Sequence, residues 1–405
     1  MSKRRFADNR SHLSPTFIID PFPPPHMRYI PAFLLFIVAS FAQAQPAPQI
    51  PPPPPIAAKG YLLLEYGSDQ PLVSQNIQER MEPASLTKLM TAYLTFSALR
   101  QKTLKPDQAI PVSTRAWKAE GSRMFIEPNK PVTVDELISG MIVQSGNDAC
   151  IALAEAIAGS EEVFAQMMTR EAQRLGMKGT NFMNSTGLPH PQHYTTAYDL
   201  SLLAQAIIRD FPEYYPLYSM REYRYNNITQ ANRNRLLWTD PSVDGMKTGF
   251  TDKAGYCLIA SAKRGPRRLI SVVLGTASET ARAIESQKLL NYGFQFYDSV
   301  RLYEKNQPVA TLRVWKGSIN NLKAGFLSDF SVTVPKGQAD RLKASVETRQ
   351  PLLAPVAAGQ QVGTLKLELD GKPYREYPVV ALEKVEAAGI LGRGWDSIRL
   401  MINRP

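Results

Sequence analysis

Two apolar runs, residues 255–262 and 268–275, are separated only by Lys263-Arg264-Gly265-Pro266-Arg267. A Gly-Pro pair between two strand-like runs marks a turn, and five residues are too few for a helical crossover. The runs therefore read as the two arms of a hairpin. Residues 281–297, which follow, have helical periodicity. Earlier, Gly60-Tyr61-Leu62-Leu63-Leu64-Glu65-Tyr66 reads as a strand ended by Gly67-Ser68-Asp69. Thr133, with Glu136 three residues on, is a capping box that starts a helix. Gly146-Asn147-Asp148-Ala149 leads into a further apolar helix through Ala158. Helices early, a hairpin late and a helix after it give an α+β class, an antiparallel sheet flanked by helices.

At 405 residues the chain exceeds one simple core. After about Asn306 its texture changes to short β-like runs, such as Phe330-Ser331-Val332-Thr333-Val334 and residues 362–369. The second leads into Asp370-Gly371, a strong hairpin turn. These runs read as a small all-β domain without a cluster of reactive residues. The expected organisation is a leader over 1–44, a proline-rich linker over 45–56, a main domain over 57–305, the β-rich domain over 306–386 and a tail over 387–405.

The leader has the pattern of an export signal. Met27-Arg28 is its basic start, Phe33-Leu34-Leu35-Phe36-Ile37-Val38-Ala39 its apolar stretch and Ala42-Gln43-Ala44 a small-residue cleavage site. Residues 1–26 form a long Pro-rich prefix, so translation is expected to start at Met27; an uncleaved anchor is the alternative. In the tail, Leu391, Trp395, Ile398 and Ile402 share one helical face, with Arg393, Asp396 and Arg404 away from it. That pattern fits a helix lying in a membrane interface, and equally one docked on the β-rich domain. The net charge of +11 suits an anionic surface, but without a dense Lys/Arg run nucleic acid is not expected. Cys150 and Cys257 each lie in an apolar run and form no metal pattern, so both are expected to be buried free thiols. No metal or cofactor is expected.

Three polar clusters carry the chemistry. Ser85-Leu86-Thr87-Lys88 follows Pro83 and precedes an apolar helix, and a serine and a lysine three apart share one helical face. An S-x-x-K alone arises by chance about once or twice in a chain of this length. Ser145-Gly146-Asn147 opens a helix, and Lys247-Thr248-Gly249 leads to the hairpin. Taken singly, these are a helix start, a cap and a turn. In this order they make the set S-x-x-K, S-x-N and K-T-G of serine β-lactam-interacting enzymes. Other schemes lack their parts. Outside the leader the histidines are His190 and His193, expected as solvated loop residues, and there is no G-x-S-x-G or H-E-x-x-H.

Glu82-Pro83-Ala84-Ser85-Leu86-Thr87-Lys88, Gln144-Ser145-Gly146-Asn147-Asp148-Ala149-Cys150, Asn232-Arg233-Asn234-Arg235-Leu236-Leu237-Trp238 and residues 244–256 resemble the low-molecular-mass penicillin-binding proteins that are D-alanyl-D-alanine carboxypeptidases. The resemblance runs from about Ala57 to the C-terminus. It implies a periplasmic enzyme, peripheral on the inner membrane, that trims the terminal D-alanine from peptidoglycan stem pentapeptides and is acylated by β-lactams. It also implies site roles. Ser85 is the acyl-ester nucleophile and Lys88 its proton acceptor, kept neutral by burial and by the charge of Lys247. Ser145 relays a proton to the leaving amine and Asn147 holds Lys88 and the substrate amide. Lys247 and Thr248 meet the terminal carboxylate, Gly249 lets the substrate approach the strand, and Arg282 lies near the carboxylate end. The backbone N–H groups of Ser85 and Phe250 hold the oxyanion. Phe250 stands where close relatives often have histidine. A D,D-endopeptidase, a β-lactamase and a non-catalytic wall scaffold are the alternatives.

Overall fold

The computed structural model describes residues 50–67, 71–389, 396, 397 and 399. The expected leader, the first part of the linker, the turn residues Ser68 and Asp69, and most of the tail lie outside them.

Leu62, Leu63 and Leu64 are all fully buried. In a strand, neighbouring side chains point to opposite faces, so three buried leucines in a row require a sheet covered on both sides. The five-stranded antiparallel sheet meets that requirement. Its strands are β1 (Gly60–Glu65), β2 (Pro71–Gln75), β3 (Val243–Thr251), β4 (Gly255–Arg264) and β5 (Arg267–Thr276), in the order β2-β1-β5-β4-β3. The hairpin read from the sequence is β4–β5, with Arg264 opposite Arg267 and Gly265 at φ +59°.

On one face Leu63 packs with Leu258, Leu269, Leu289 and Leu290. The last two belong to α5 (Glu279–Phe296), the final helix of this region. On the other face Leu62 and Leu64 join the larger core, which takes in α1 (Lys88–Arg100), α2 (Asn147–Ala158), α3 (Glu161–Arg174) and α4 (Ala197–Asp210). Helix α1 is buried on nearly every side and forms the centre of this layer. Its threonines satisfy themselves inside the core: Thr91 Oγ1 donates to the Ser185 carbonyl at 2.7 Å and Thr95 Oγ1 to the Thr91 carbonyl at 2.8 Å. The capping box at Thr133 and Glu136 is formed in both directions. Cys150 and Cys257 are buried and unpaired, and burial pushes the Cys150 thiol up to about 12, leaving it protonated and inert.

Beyond α5 the chain builds an all-β region around Leu312, Val314, Leu322, Leu365 and Val379. Its first strand, Tyr297–Tyr303, pairs with Phe330–Pro335 and begins ahead of the change in texture near Asn306. The Asp370-Gly371 turn is present, with both residues at positive φ and Leu369 opposite Lys372, as a primed two-residue hairpin requires. Arg267 ties the two regions together. Its guanidinium pairs with Glu65 at 2.8 Å and donates to the Tyr297 carbonyl at 2.5 Å. In the tail, the Asp396 carboxylate accepts from the Lys316 N–H at 2.6 Å.

Candidate active site

Pro83 has no N–H to offer a helix and its fixed φ suits the entry to one. The chain turns there into a short 3₁₀ helix, Ala84–Thr87, that runs directly into α1. Ser85 thus sits in the tight turn before α1, and Lys88 is the first residue of α1. Lys88 Nζ lies 3.0 Å from Ser85 Oγ, 2.7 Å from Asn147 Oδ1 and 2.6 Å from the Thr186 carbonyl. Lys88 is 1 % exposed. Burial is the main force that pulls its pKa down to about 8, and the added charge is the guanidinium of Arg233 rather than the expected ammonium of Lys247.

The second cluster depends on a reversal of the backbone. After the helical segment Gly140–Gln144, Ser145 takes the left-handed conformation at φ +60°, ψ +36°. This aims the Ser145 hydroxyl at the sheet, where Lys247 Nζ donates to it at 2.9 Å. Ser145 is therefore not the cap that its residue type suggests; the backbone takes up α2 from Gly146. Asn147 follows in the first turn, its amide nitrogen donating to the Glu120 carbonyl at 2.6 Å while its oxygen meets Lys88. Next to it the buried Asp148 carboxylate gathers the N–H groups of Met124, Phe125 and Ile126 at 2.8–3.2 Å, which fixes the stretch just after the cleft-lining Gly121 and Ser122.

The third cluster lies on β3. Lys247 is buried, and burial followed by the charges of Lys88, Arg233 and Arg282 holds its pKa well below the usual lysine value. Gly249 packs against the Ser85 turn: a Cβ there would meet the Pro83 carbonyl oxygen at 3.1 Å and the Ala84 Cβ at 3.2 Å. A side chain at this position would require strand and turn to give by a few tenths of an ångström. Phe250 is 46 % exposed and leans on Tyr256 with ring centroids 4.3 Å apart. Arg282 reaches in from the first turn of α5. Its guanidinium donates to the Gly249 and Arg233 carbonyls, both at 3.4 Å, and pairs with Glu279 at 3.3 Å.

Ser85, Ser145, Asn147, Thr248, Gly249, Phe250 and Arg282 line one cleft of about 380 Å³, with Arg233 and Gly187 also on its wall. Lys88 and Lys247 lie behind that wall, bonded to its serines. All nine residues singled out from the sequence are thus brought together. Among the described residues no group of three His, Cys, Asp or Glu side chains is placed to hold a metal.

Against the family model described as D-alanyl-D-alanine carboxypeptidase the chain matches over residues 47–278. The chain belongs to the D-alanyl-D-alanine carboxypeptidase family. Residues 297–387 match a second model, that of the penicillin-binding protein 5 C-terminal domain. The chain is 42% identical over 382 residues to the D-alanyl-D-alanine carboxypeptidase DacC of Escherichia coli (strain K12), a match covering 92% of this chain and 94% of the relative. Among solved structures it is similar to penicillin binding protein 5 from Haemophilus influenzae, at 40% identity and a TM-score of 0.77, covering 83% of this chain and 99% of that one. It is also similar to penicillin-binding protein D2 from Listeria monocytogenes in its ampicillin-bound form, at 31% identity and a TM-score of 0.56, over 60% of this chain and all (100%) of that one.

Two residues of this site carry no local signal in the sequence. Arg233 belongs to none of the three motifs, yet its guanidinium lies against the cleft and donates to Ser122 Oγ at 2.7 Å. His193, expected in solvent, is 2 % exposed. Its Nε2 lies 3.0 Å from Thr87 Oγ1, inside the S-x-x-K motif itself. His190 is exposed as expected. The pattern Pro-His-Pro-Gln-His looks like a surface loop, and nothing local says that its second histidine turns inward.

Proposed function

We propose that this chain is a serine-type D-alanyl-D-alanine carboxypeptidase that removes the terminal D-alanine from peptidoglycan stem pentapeptides, and that β-lactams acylate the same serine. The observation that carries this is the environment of Lys88 Nζ. Two of its three neighbours, the Asn147 amide oxygen and the Thr186 carbonyl, can only accept hydrogen bonds. In a neutral amine they take up both N–H bonds and leave the lone pair facing Ser85 Oγ. That is the arrangement a general base needs, at a pKa suited to accepting a proton near neutrality.

In the proposed reaction Ser85 Oγ attacks the carbonyl carbon of the D-Ala-D-Ala bond as its proton passes to Lys88. The oxyanion is held by the N–H groups of Ser85 and Phe250, each worth about 3 kcal/mol of transition-state stabilisation. The C–N bond then breaks. The departing amine takes its proton from Ser145, whose hydroxyl is held by Lys247 Nζ; Ser145 regains a proton from the Lys88 ammonium, which leaves that amine neutral again. Thr248 and Arg282 meet the terminal carboxylate, and Asn147 the substrate amide. Water attacks the ester carbonyl as Lys88 takes its proton, and the bond to Ser85 breaks as Lys88 returns that proton to Ser85 Oγ.

The proposal extends to place. The leader pattern supports export to the periplasm. The apolar stripe of the tail supports contact with the periplasmic face of the inner membrane, and Asp396, off that stripe, is engaged by the all-β region. Among the described residues no helix is long and apolar enough to cross a membrane. Fractionating full-length protein against a form lacking residues 389–405 tests the tail.

Labelling with a fluorescent penicillin followed by peptide mapping tests the chemistry. The adduct is expected on Ser85, and Ser85→Ala is expected to lose both labelling and release of D-alanine. A label on another residue, or an active Ser85→Ala, rules the mechanism out.

A further inference from the structure

The two N–H groups proposed for the oxyanion come from segments far apart in sequence, the turn carrying Ser85 and the end of β3 carrying Phe250. Catalysis needs their separation fixed, because a donor displaced by a fraction of an ångström loses much of its effect. Gly249, having no Cβ, lets the strand lie close against the turn, where a Cβ would crowd Pro83 and Ala84. Contact alone does not stop them from drifting apart; that takes a directional bond.

Glu82 supplies one. Its side chain is 12% exposed, and Oε1 lies 3.0 Å from Lys253 Nζ. Its Oε2 accepts from Thr251 Oγ1 at 3.1 Å. Thr251 Oγ1 in turn accepts from the Ala254 N–H at 3.0 Å, which ties the strand end to its turn. A single carboxylate therefore joins a point three residues before Ser85 to the residue after Phe250. Lys253 is mostly exposed, so its ion pair adds little. The hydroxyl–carboxylate bond is charge-assisted and shielded, and is the stronger tie.

We propose that Glu82, acting through Thr251, is a positioning residue that sets the spacing of the Ser85 and Phe250 amides. The proposal rests on the acyl-enzyme reading above. It deepens that reading by assigning the pocket's geometry to a side chain that touches neither substrate nor the reacting atoms.

Full-length Glu82→Ala, Glu82→Gln and Thr251→Val test it, with acylatable sites counted by fluorescent-penicillin titration and kcat and KM for a D-Ala-D-Ala peptide expressed per site. Glu82→Ala and Thr251→Val are expected to lower kcat roughly ten- to hundredfold with KM little changed. Glu82→Gln keeps an oxygen for Thr251 and is expected to stay within about fivefold of the parent. If Glu82→Ala fails to fold, Thr251→Val decides. Fewer titratable sites or a lower Tm with kcat per site intact would mark a purely structural role and overturn the proposal. Equal losses in Glu82→Gln and Glu82→Ala would do so too. A parent enzyme unlabelled at Ser85 instead removes the acyl-enzyme reading, and this proposal with it.

Discussion

His193 Nε2 lies 3.0 Å from Thr87 Oγ1, so a buried imidazole braces the helical turn between Ser85 and Lys88. The ring meets Phe182 edge-on at 5.7 Å, and its other nitrogen, Nδ1, is buried without a partner. Burial first, and then the charges of His190 and Lys88, hold its pKa down to about 4. An unfolded histidine binds its proton near 6.5, so between those values the unfolded state carries more protons than the folded one. Stability therefore falls as pH drops from about 6.5 to about 4, and this residue accounts for about 3 kcal/mol of that fall. Urea unfolding at pH 7 and pH 4.5 should show a smaller acid loss in His193→Gln than in the parent. Equal losses would mean that His193 does not titrate as its burial dictates.

The Lys88 pKa of about 8 sets the direction of the rate profile. Only the neutral amine accepts a proton, so the acylation rate is expected to rise with pH and level off above about 8. Lys88→Arg keeps the charge but cannot lose its proton, and should cost at least about a hundredfold in acylation. Stopped-flow acylation by a chromogenic β-lactam gives both results. A rate that declines between pH 6 and 8 would remove Lys88 as the base.

Asp148 holds the N–H groups of Met124, Phe125, Ile126 and Ala149 on one buried carboxylate. Asp148→Ala leaves these donors without their acceptor, and is expected to cost about 3 kcal/mol or more. Denaturant titration checks the loss, and hydrogen exchange should locate it at residues 124–126. A variant of parental stability would show that this stretch is held by other contacts.

Phe250 is a test of local chemistry at little cost in folding, because its side chain is half exposed. Phe250→His should change stability by no more than about 0.5 kcal/mol. An imidazole at the cleft can accept a proton from the attacking water, which a phenyl ring cannot. The penicilloyl-enzyme is expected to decay faster, by up to about tenfold. Intact-protein mass spectrometry over time measures that lifetime, and an unchanged value would place the ring outside the deacylation path.

The fold was legible wherever local pattern and tertiary contact agree. The β4–β5 hairpin, the capping box at Thr133 and the Asp370-Gly371 turn follow from spacing and backbone preference, and all three are present. Ser145 shows where that agreement ends. Its residue type suggests a cap, while its left-handed backbone turns the hydroxyl toward Lys247, 102 residues away in sequence. His193 shows the same from the other side, since a polar loop sequence does not reveal that one of its side chains is buried.

Spacing, turns and apolar periodicity are local properties, and they carry the identity and order of the three polar clusters, the α+β class and the all-β region beyond it. Local pattern does not carry the meeting of distant residues: that Lys88 faces Asn147 and Thr186, that Arg233 is a cation near it, that His193 is buried under Thr87, and that Glu82 bonds across to Thr251. The hydrogen bonds among these join residues 59 to 169 positions apart in sequence. Burial and mutual charge, which set the chemistry of the site, exist only once the tertiary packing has formed.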